Sequence, residues 1–419
     1  MYANEFSEYL RDESRQLGYA SSISFPKTED EIVKTVKENA AVKNPITTQG
    51  ARTGLAASAV PFGGHILNLS KMDKVVGARY DYENDRFFLR VQPGVLLTDL
   101  RKKLNGNSLI TLDWDEASIK ALEHMAPGEW FYSTDPTEAS ASIGGIAACN
   151  ASGAKSFRYG SARNHIESLR VVLAEGDILE LKRGQDFAHK GRFKLTTLNK
   201  RVISGELPEY KMPNVKKNTS GYYNKPDMDM IDLFIGSDGT LGVISEIEIE
   251  LNRKQAVNWG IMIFMPDEGS ALDLVRALRG ELIFDNLEDY EMKLSAIEIF
   301  NHNALAMMRE HQMVNPAFAT IQEVKKAYHT GIYTEIESDS EEESWSAVEK
   351  IGTIIERLGG DEDASWVACN SANLEKLHYF RHACPECVNL QIDEIKKKES
   401  SITKLGTDMS VPDNKLKDV

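Results

Sequence analysis

Cysteine is scarce in this chain, with four among 419 residues. Four cysteines do not make a disulfide framework, so the sequence predicts a reduced, cytoplasmic protein. Cys384 and Cys387 form a C-x-x-C, which could be a redox pair or half of a metal site. No second pair or histidine spacing completes a zinc or iron–sulfur set, and the surrounding pattern is helical. We therefore favour two coincidental helix cysteines and predict no metal.

Long apolar runs and excess positive charge are also lacking. No apolar run approaches the ~18 residues that a membrane span needs, so no transmembrane segment is predicted. The first eight residues are acidic and carry no signal-peptide pattern. Lys and Arg number 49 against 64 Asp and Glu, a net charge of −15. Such an acidic balance argues against binding to nucleic acid or to anionic membranes.

The hydrophobic share of 42% is ample for a large core and suggests two domains. Helical spacing predicts a helix over residues 29–43, whereas residues 106–141 look irregular. After residue 252 the pattern gives two strand–helix–strand units, which indicate a ferredoxin-like antiparallel sheet. The acidic run 335–343 could be a docking patch for a partner. We favour a solvated loop and helix N-terminus instead.

Glycine is concentrated in three segments, residues 45–55, 142–160 and 233–244. Glycine and small residues allow the backbone to lie directly against a large flat ligand. Successive exposed N–H groups in such turns also form anion-binding concavities. None of the segments matches G-x-G-x-x-G or the Walker A pattern. Three such segments beside strands suggest one extended, phosphate-bearing ligand.

These segments resemble the FAD-linked oxidase family, also called the vanillyl-alcohol oxidase or PCMH-type fold. Residues 50–55 are similar to its pyrophosphate loop, 142–160 to its isoalloxazine-side segment and 236–244 to its third FAD segment. The D-lactate, glycolate and D-2-hydroxyglutarate dehydrogenases look nearest. The resemblance implies an α+β protein. Residues 1–252 would be the PCMH-type FAD-binding domain of two α+β subdomains, and residues 253–419 a ferredoxin-like cap.

The resemblance implies FAD-binding residues in all three segments. They are Gln49, Gly50, Ala51, Arg52, Thr53, Gly54, Leu55, Ser142, Ile143, Gly144, Gly145, Ala148, Asn150, Gly153, Tyr159, Gly160, Asp238, Gly242 and Ile244. Some members attach FAD through a histidine at the position of Thr53, so non-covalent FAD is expected here. The Arg52 guanidinium could pair with the pyrophosphate or point to solvent, and both alternatives stay open.

The substrate residues are expected near the C-terminus. Arg381 matches an arginine that relatives use to clamp the substrate carboxylate, which suits a planar guanidinium. Its alternative is a salt bridge to Glu386 or another local acid. Lys404 resembles a second carboxylate-side residue. His378 and His382 share a helix face, either as a metal pair or, as we favour, as ordinary polar surface residues.

The resemblance implies oxidation of a D-2-hydroxy acid by hydride transfer to flavin N5. Electrons would pass to a quinone, a cytochrome, an electron-transfer flavoprotein or an iron–sulfur partner subunit. The alternatives are an alkylglycerone-phosphate-synthase-like reaction and a flavin-binding subunit that is inactive on its own. The family's G-H-x-G-D-G-N-x-H and E-H-G motifs, which supply its base, do not occur before Val419. Either the chain is truncated or it has lost the usual base, and we favour truncation.

Overall fold

The computed structural model describes residues 6–106, 108–218, 220–285, 292–318, 321–404, 406 and 409–418. The chain divides into two compact units. The first unit comprises Met1–Gly153, Gly160–Lys254 and Thr403–Ser410, and the second comprises Ala154–Tyr159, Gln255–Ile402 and Val411–Val419. The main division after Lys254 lies two residues from the boundary predicted at 252, and the short segments 154–159 and 403–410 depart from that simple division.

The first unit holds eleven strands among the described residues. They are β1 (Ser22–Ser24), β2 (Ile46–Gln49), β3 (His65–Asn68), β4 (Val75–Asp81), β5 (Arg86–Val91), β6 (Trp130–Phe131), β7 (Ile166–Val172), β8 (Ile178–Lys182), β9 (Arg192–Thr196), β10 (Val202–Glu206) and β11 (Val243–Arg253). A parallel sheet has the order β1-β3-β2. An antiparallel sheet has the order β4-β5-β11-β7-β8, with β6 also paired to β11. β9 and β10 form a separate antiparallel pair.

The first six helices, in chain order, are α1 (Glu29–Ala41), α2 (Leu97–Gly106), α3 (Glu116–Ala121), α4 (Ile143–Ala148), α5 (Ser156–Tyr159) and α6 (Ile231–Phe234). Five belong to the first unit, and α5 belongs to the second. α1 confirms the helix predicted over 29–43. Thr28 caps it by accepting from the Glu31 N–H, and Ile32 and Val36 are its buried residues. The positive φ of Lys43 follows its end.

The expectation that residues 106–141 are irregular is wrong in part. They contain α3 and the short strand β6. The Asp115 side chain starts α3 by accepting from the Ser118 N–H. A six-residue helix offers too few turns to show a hydrophobic period, so only its cap could have indicated it.

The second unit is built on one antiparallel sheet. Its strands are β12 (Val257–Met265), β13 (Leu294–Phe300), β14 (Thr330–Ser338) and β15 (Trp366–Ala368), and its longer helices are α7 (Glu268–Leu278), α8 (His302–Val314), α9 (Glu341–Arg357) and α10 (Ser371–Lys396). The strand order is β13-β14-β12-β15. The two central strands, β12 and β14, are the first strands of the two strand–helix–strand units. This is the ferredoxin-like arrangement predicted from the sequence, with α8 inserted between β13 and β14.

The two faces of this sheet differ in character. Ile332 and Ile336 of β14 pack in the core that includes α7 and α9. Tyr333 packs in the core on the α8 and α10 side. Because strand side chains alternate between faces, Glu335 and Glu337 share the face of Tyr333. The α+β class expected from the sequence is confirmed.

Within the ranges that the structure describes, no helix has the length and apolar character needed to cross a membrane.

Candidate functional site

The three glycine-bearing segments meet in the first unit. The Gly236 N–H donates to the Ala147 carbonyl at 3.1 Å, and the Asp238 N–H donates to the Ala148 carbonyl at 2.8 Å. These bonds join the third segment to α4 of the second. A Cβ placed on Gly50 would lie 2.2 Å from Ser142 Oγ, so the first segment also lies against the start of α4. The predicted convergence of the three segments is therefore present in the fold.

Two neighbouring glycines of α4 have different functions. A Cβ on Gly144 would lie 2.5 Å from Pro93 Cβ, and the Gly144 N–H donates to the Pro93 carbonyl at 2.8 Å. A Cβ on Gly145 would have one neighbour within 4 Å, Ser142 Oγ at 3.2 Å. Gly144 is therefore required for packing of the backbone, whereas a Cβ on Gly145 would press on the Ser142 hydroxyl that caps the same helix.

Gly54 of the first segment is surrounded by open space. A Cβ there would meet no described atom within 4 Å. Three non-glycine residues of the segments, Arg52, Asn150 and Asp238, have positive φ angles of 61°, 46° and 51°. Such conformations are uncommon outside glycine and mark turns whose shape the surrounding structure imposes. Open space at Gly54, beside turns of constrained shape, is consistent with a large cofactor that lies against the backbone, as FAD binding requires.

Several side chains predicted to bind FAD are used within the protein. Gln49 is buried, and its amide donates to the Tyr9 and Ala59 carbonyls at 2.7 Å each. Arg52 lies 3.4 Å from Glu8 and 4.4 Å from the centre of the Tyr9 ring. In this structure Arg52 is therefore held by a local acid and an aromatic ring.

The remaining residues described here from the predicted FAD-binding set are explained by local packing or backbone conformation. A Cβ on Gly153 would lie 1.4 Å from the Asp135 carbonyl oxygen, so no side chain fits there. Gly160 has a φ of +83° and lies against Asn164. Gly242 lies against Val171 and Val172, and Ile244 is buried. Tyr159 is grouped with the second unit.

A buried cluster of charged residues lies on one face of the second unit's sheet. Glu335 of β14 is fully buried. Its Oε1 accepts from the Tyr333 hydroxyl at 2.6 Å and contacts His378 Nε2 at 3.0 Å. Its Oε2 accepts from Asn258 Nδ2 at 3.2 Å and lies 3.1 Å from Lys155 Nζ. Both carboxylate oxygens are thus satisfied by donors from β12, β14, α10 and Lys155, which directly precedes α5.

The second carboxylate of the cluster, Glu337, anchors α5. Lys155 Nζ donates to it at 2.5 Å, and the Tyr159 hydroxyl also donates to it. Arg158 lies 3.6 Å away. The pKa of Tyr159 is raised by burial and by this hydrogen bond. The predicted FAD residue Tyr159 therefore directs its hydroxyl to Glu337 in this structure.

The environment keeps Glu335 ionised. Burial alone would raise its pKa, but the hydrogen bond with His378, the charge of Lys155 and the Tyr333 hydroxyl together hold that pKa well below its usual range. Burial and the adjacent carboxylate raise the pKa of Tyr333 well above its usual value. Tyr333 therefore remains a protonated donor to an anionic Glu335.

Arg381 lies one turn after His378 on α10 and makes a two-bond fork. Its Nε donates to Glu298 Oε2 at 2.6 Å and its Nη2 to Oε1 at 2.9 Å. Its guanidinium also lies 5.1 Å from the centre of the Tyr333 ring. The acid bound by this predicted substrate residue is Glu298 of β13, which the sequence spacing did not suggest.

The remaining predicted substrate residue, Lys404, groups with the first unit, where its N–H donates to the Ser14 carbonyl at 2.9 Å. Cys384 and Cys387 lie on α10, as their helical pattern predicted. His378 is half-buried against Glu335, so the interpretation of it as an ordinary surface residue is wrong, whereas His382 is exposed. The described residues contain no group of three or more His, Cys, Asp or Glu suited to a metal.

The interpretation of the acidic run 335–343 as solvated is also wrong in part. β14 continues to Ser338, which places Glu335 and Glu337 in the interior. The three acids at 341–343 do form the first turn of α9, as expected. The alternation of Tyr333, Glu335 and Glu337 is a period-two signal that could have revealed the strand face. Lys155, the partner of Glu335 and Glu337, could not be found by local spacing.

Comparisons with known proteins agree with the glycine site. A family model described as an FAD binding domain matches residues 20–122 and 117–182. A D-lactate dehydrogenase of Anaerostipes hadrus is 32% identical over 221 residues, which are 52% of this chain and 33% of that protein. A D-2-hydroxyglutarate dehydrogenase of Stutzerimonas stutzeri is 27% identical over 321 residues, covering 76% of this chain and 54% of that protein. The chain thus spans between a third and about half of these relatives.

A solved structure supports the fold. An alkyldihydroxyacetonephosphate synthase aligns with a TM-score of 0.51 and 14% identity, over 85% of this chain and 54% of the other. At that identity the likeness concerns the fold alone. The family model and the converging glycine segments lead to one conclusion: residues 20–182 of the chain match an FAD binding domain.

Proposed function

We propose that this chain binds FAD without a covalent bond and contributes to the oxidation of a D-2-hydroxy acid. The observation that carries the proposal is the convergence of the three glycine segments, with open space at Gly54. The names of the relatives supply the substrate class, because they are D-lactate and D-2-hydroxyglutarate dehydrogenases. A bound flavin would supply the two-electron acceptor for the substrate's α-hydrogen.

We place the substrate carboxylate at Arg381, with Lys404 as a second carboxylate-side residue. The fork to Glu298 holds the guanidinium in one orientation, and a pre-fixed guanidinium loses less freedom when it binds a second carboxylate. Electrons would leave for an acceptor other than NAD, such as a quinone, a cytochrome, an electron-transfer flavoprotein or an iron–sulfur partner subunit. The cytoplasmic location stays a prediction.

The mode of flavin attachment has a direct test. Acid precipitation of the purified, yellow protein should release the flavin to the supernatant, since Thr53 cannot form the histidyl bond. Flavin that stays in the pellet after washing would contradict non-covalent binding.

The substrate class is tested by anaerobic flavin reduction with D-lactate, glycolate, D-2-hydroxyglutarate and L-lactate. Bleaching should occur with a D-acid and not with L-lactate. Arg381→Lys should raise the half-saturating concentration roughly ten- to hundred-fold, because an ammonium cannot reproduce charged hydrogen bonds worth about 1.5–3 kcal/mol.

Arg357→Lys, on α9, is the matched control and should bleach like the wild type. If no 2-hydroxy acid bleached the flavin, the oxidation proposal would fail. The next hypotheses to test would then be a reaction without net oxidation and a flavin-binding subunit that is active only with a partner.

A further inference from the structure

Positive charge is concentrated in one segment of this acidic chain, residues 190–225, which we call the basic segment. It contains nine Lys and Arg but two Asp and Glu, a net charge of +7. The remaining 383 residues contain 40 Lys and Arg and 62 Asp and Glu, a net charge of −22. The overall charge of −15 therefore conceals a local region of the opposite sign.

The β9–β10 hairpin gives the basic segment one exposed face. Leu195 of β9 is buried in the core of the first unit, and Phe193 and Ile203 pack against that core. Side chains alternate along a strand, so the neighbours of these residues point away from the core. The outward side chains are all exposed, and they are Arg192, Lys194, Thr196, Val202, Ser204 and Glu206. The hairpin thus presents an exposed face that carries two cations and one acid.

The arginines of the basic segment are paired with acids of the chain, whereas several of its lysines are not. Arg192 Nε lies 3.0 Å from Glu206 Oε1, and Arg201 Nη2 lies 3.1 Å from Glu175 Oε2. Among the described residues, the exposed lysines of the segment that form no ion pair include Lys190, Lys194, Lys200 and Lys211. The uncompensated charge of the basic segment is therefore carried by lysines on flexible stems.

Apolar side chains are exposed among these lysines. Leu198, in the turn between β9 and β10, is 46% exposed, and Val202, which begins β10, is 52% exposed. Val202 lies opposite Thr196, which is the next outward position along β9 from Lys194. Lys200 lies between Leu198 and Val202 in the sequence. Apolar groups among cations are typical of a surface that places its apolar atoms in the headgroup layer of a membrane and its charges on anionic headgroups.

The residue types favour a lipid surface over a protein or nucleic-acid partner. Protein interfaces are enriched in arginine and depleted in lysine, and proteins that bind single-stranded nucleic acid add aromatic side chains on which bases stack. Arg192 and Arg201 are occupied by acids of the chain, so their guanidinium groups are not presented to a partner. The exposed side chains around Lys200, Leu198 and Val202, are aliphatic. Flexible lysines beside aliphatic side chains suit the mobile headgroups of a bilayer.

The acidity of the remaining chain does not prevent such contact. At physiological ionic strength, charges farther than about 8 Å from a surface are largely screened from it. The acids beside the turn, Glu175 and Asp177, both pair with Arg201. The five-residue strands of the hairpin span about 17 Å, with Lys190 beside one end and Lys200 in the turn at the other. These two lysines can therefore contact separate headgroups at the same time.

We propose that the basic segment binds the surface of an anionic lipid bilayer through Lys190, Lys194 and Lys200, with Leu198 and Val202 in the headgroup layer. The binding is peripheral and reversible, because it depends on charges that salt screens and on a small apolar area. It forms and breaks no covalent bond and needs neither flavin nor substrate. The inference goes beyond the proposed oxidation and does not rest on it.

Co-sedimentation of the purified full chain with lipid vesicles tests this binding. Vesicles of phosphatidylcholine and phosphatidylglycerol should bind the chain at low salt, whereas vesicles of phosphatidylcholine alone should not. Added salt should release the chain, because it screens the lysines. The triple replacement Lys190→Gln, Lys194→Gln and Lys200→Gln should lower the partition constant roughly five-fold for each lysine and about a hundred-fold in all.

A matched variant removes the same charge elsewhere in the first unit. Lys71→Gln, Lys102→Gln and Lys120→Gln replace three exposed lysines outside the basic segment, and together they should lower the partition constant by no more than about two-fold. Both triple variants should keep the wild-type melting temperature, since none of the six lysines has an ion pair among the described residues. Leu198→Ser should weaken binding at every salt concentration and leave the salt dependence unchanged, because salt does not screen apolar contact.

Failure of the folded wild-type chain to bind anionic vesicles at low salt would overturn the proposal. Equal losses in the two triple variants would also overturn it, because the net charge and not the basic segment would then govern binding. Retention of the chain on a heparin column without binding to vesicles would assign the basic segment to a polyanion, such as a nucleic acid or an acidic protein, instead of a lipid surface.

Discussion

At the scale of single residues, the glycines of the candidate FAD site divide by what surrounds them. Gly144 lies against Pro93, so its missing Cβ is explained by the protein itself. Gly54 has space that no described protein atom requires, since a Cβ there would meet no atom within 4 Å. Only the second kind points to a ligand. Glycine content alone cannot distinguish these two causes.

This difference gives a paired prediction. Gly54→Val should fold with the wild-type melting temperature as apoprotein but lose FAD, because its side chain would project into the cofactor's space. Gly144→Ala should lose about 1–3 kcal/mol of unfolding free energy, since Pro93 would have to move. Urea unfolding of the two apoproteins and flavin absorbance after reconstitution measure both effects. Full FAD occupancy in Gly54→Val would show that the cofactor does not pass there.

At the scale of elements, α10 and β14 together build the buried cluster. The period of two along β14 puts Tyr333, Glu335 and Glu337 on one face, and the turn of α10 puts His378 and Arg381 on another. Gly260 of β12 allows α10 to approach that strand closely, because a Cβ there would lie 2.7 Å from Leu374 Cδ1 of α10. The site residues are thus carried by packed helices and strands rather than by loops.

Pro385 interrupts the interior of α10, one turn beyond Arg381. It has no N–H to donate to the Arg381 carbonyl, and proline in a helix interior costs about 3 kcal/mol. Pro385→Ala should therefore raise the unfolding free energy by up to about 3 kcal/mol, measured in urea with Glu386→Ala as the exposed neighbouring control. A variant no more stable than the wild type would mean that the packing around α10 already compensates for the proline.

At the scale of the whole molecule, the acidic balance is not confined to the surface. Glu335 and Glu337 are buried in the second unit, where Lys155 bridges them. The first unit has a similar but more exposed pair, in which Glu29 forms a fork with Arg170 and accepts from Ser245. Both units therefore depend on carboxylates remaining charged.

Acid should destabilise the protein for this reason. The folded-state pKa of Glu335 lies below its unfolded value of about 4.3, so its contribution is present above that pH and is lost as the pH falls through the folded value. Unfolding free energies from urea titrations should drop below about pH 4.5. The slope should be smaller in Glu335→Gln, which cannot titrate, although that variant should start less stable. Equal slopes in the two proteins would exclude Glu335 as a source of acid sensitivity.

The sequence was informative where the pattern is local. The glycine segments and the two strand–helix–strand units after residue 252 were predicted from patterns within short windows. The fork between Arg381 and Glu298 could not be predicted, because β13 and α10 are 83 residues apart at that point. The burial of Glu335 was missed because six acidic residues among the nine residues 335–343 dominate the local composition. The alternation along the strand distinguishes Glu335 and Glu337 from the other acids.

The assignment of Ala154–Tyr159 to the second unit has a consequence for how the chain is made. Lys155 leaves the ribosome about 180 residues before Glu335 and Glu337, its buried partners. At synthesis rates of about 5–20 residues per second, the interval between the synthesis of Lys155 and that of β14 is on the order of ten to forty seconds. A fragment that starts at residue 255 would lack Lys155, which lies beside the buried carboxylates Glu335 and Glu337. We therefore expect it to be less stable than the second unit of the whole chain, and a peptide spanning residues 154–159, added in trans, should stabilise it.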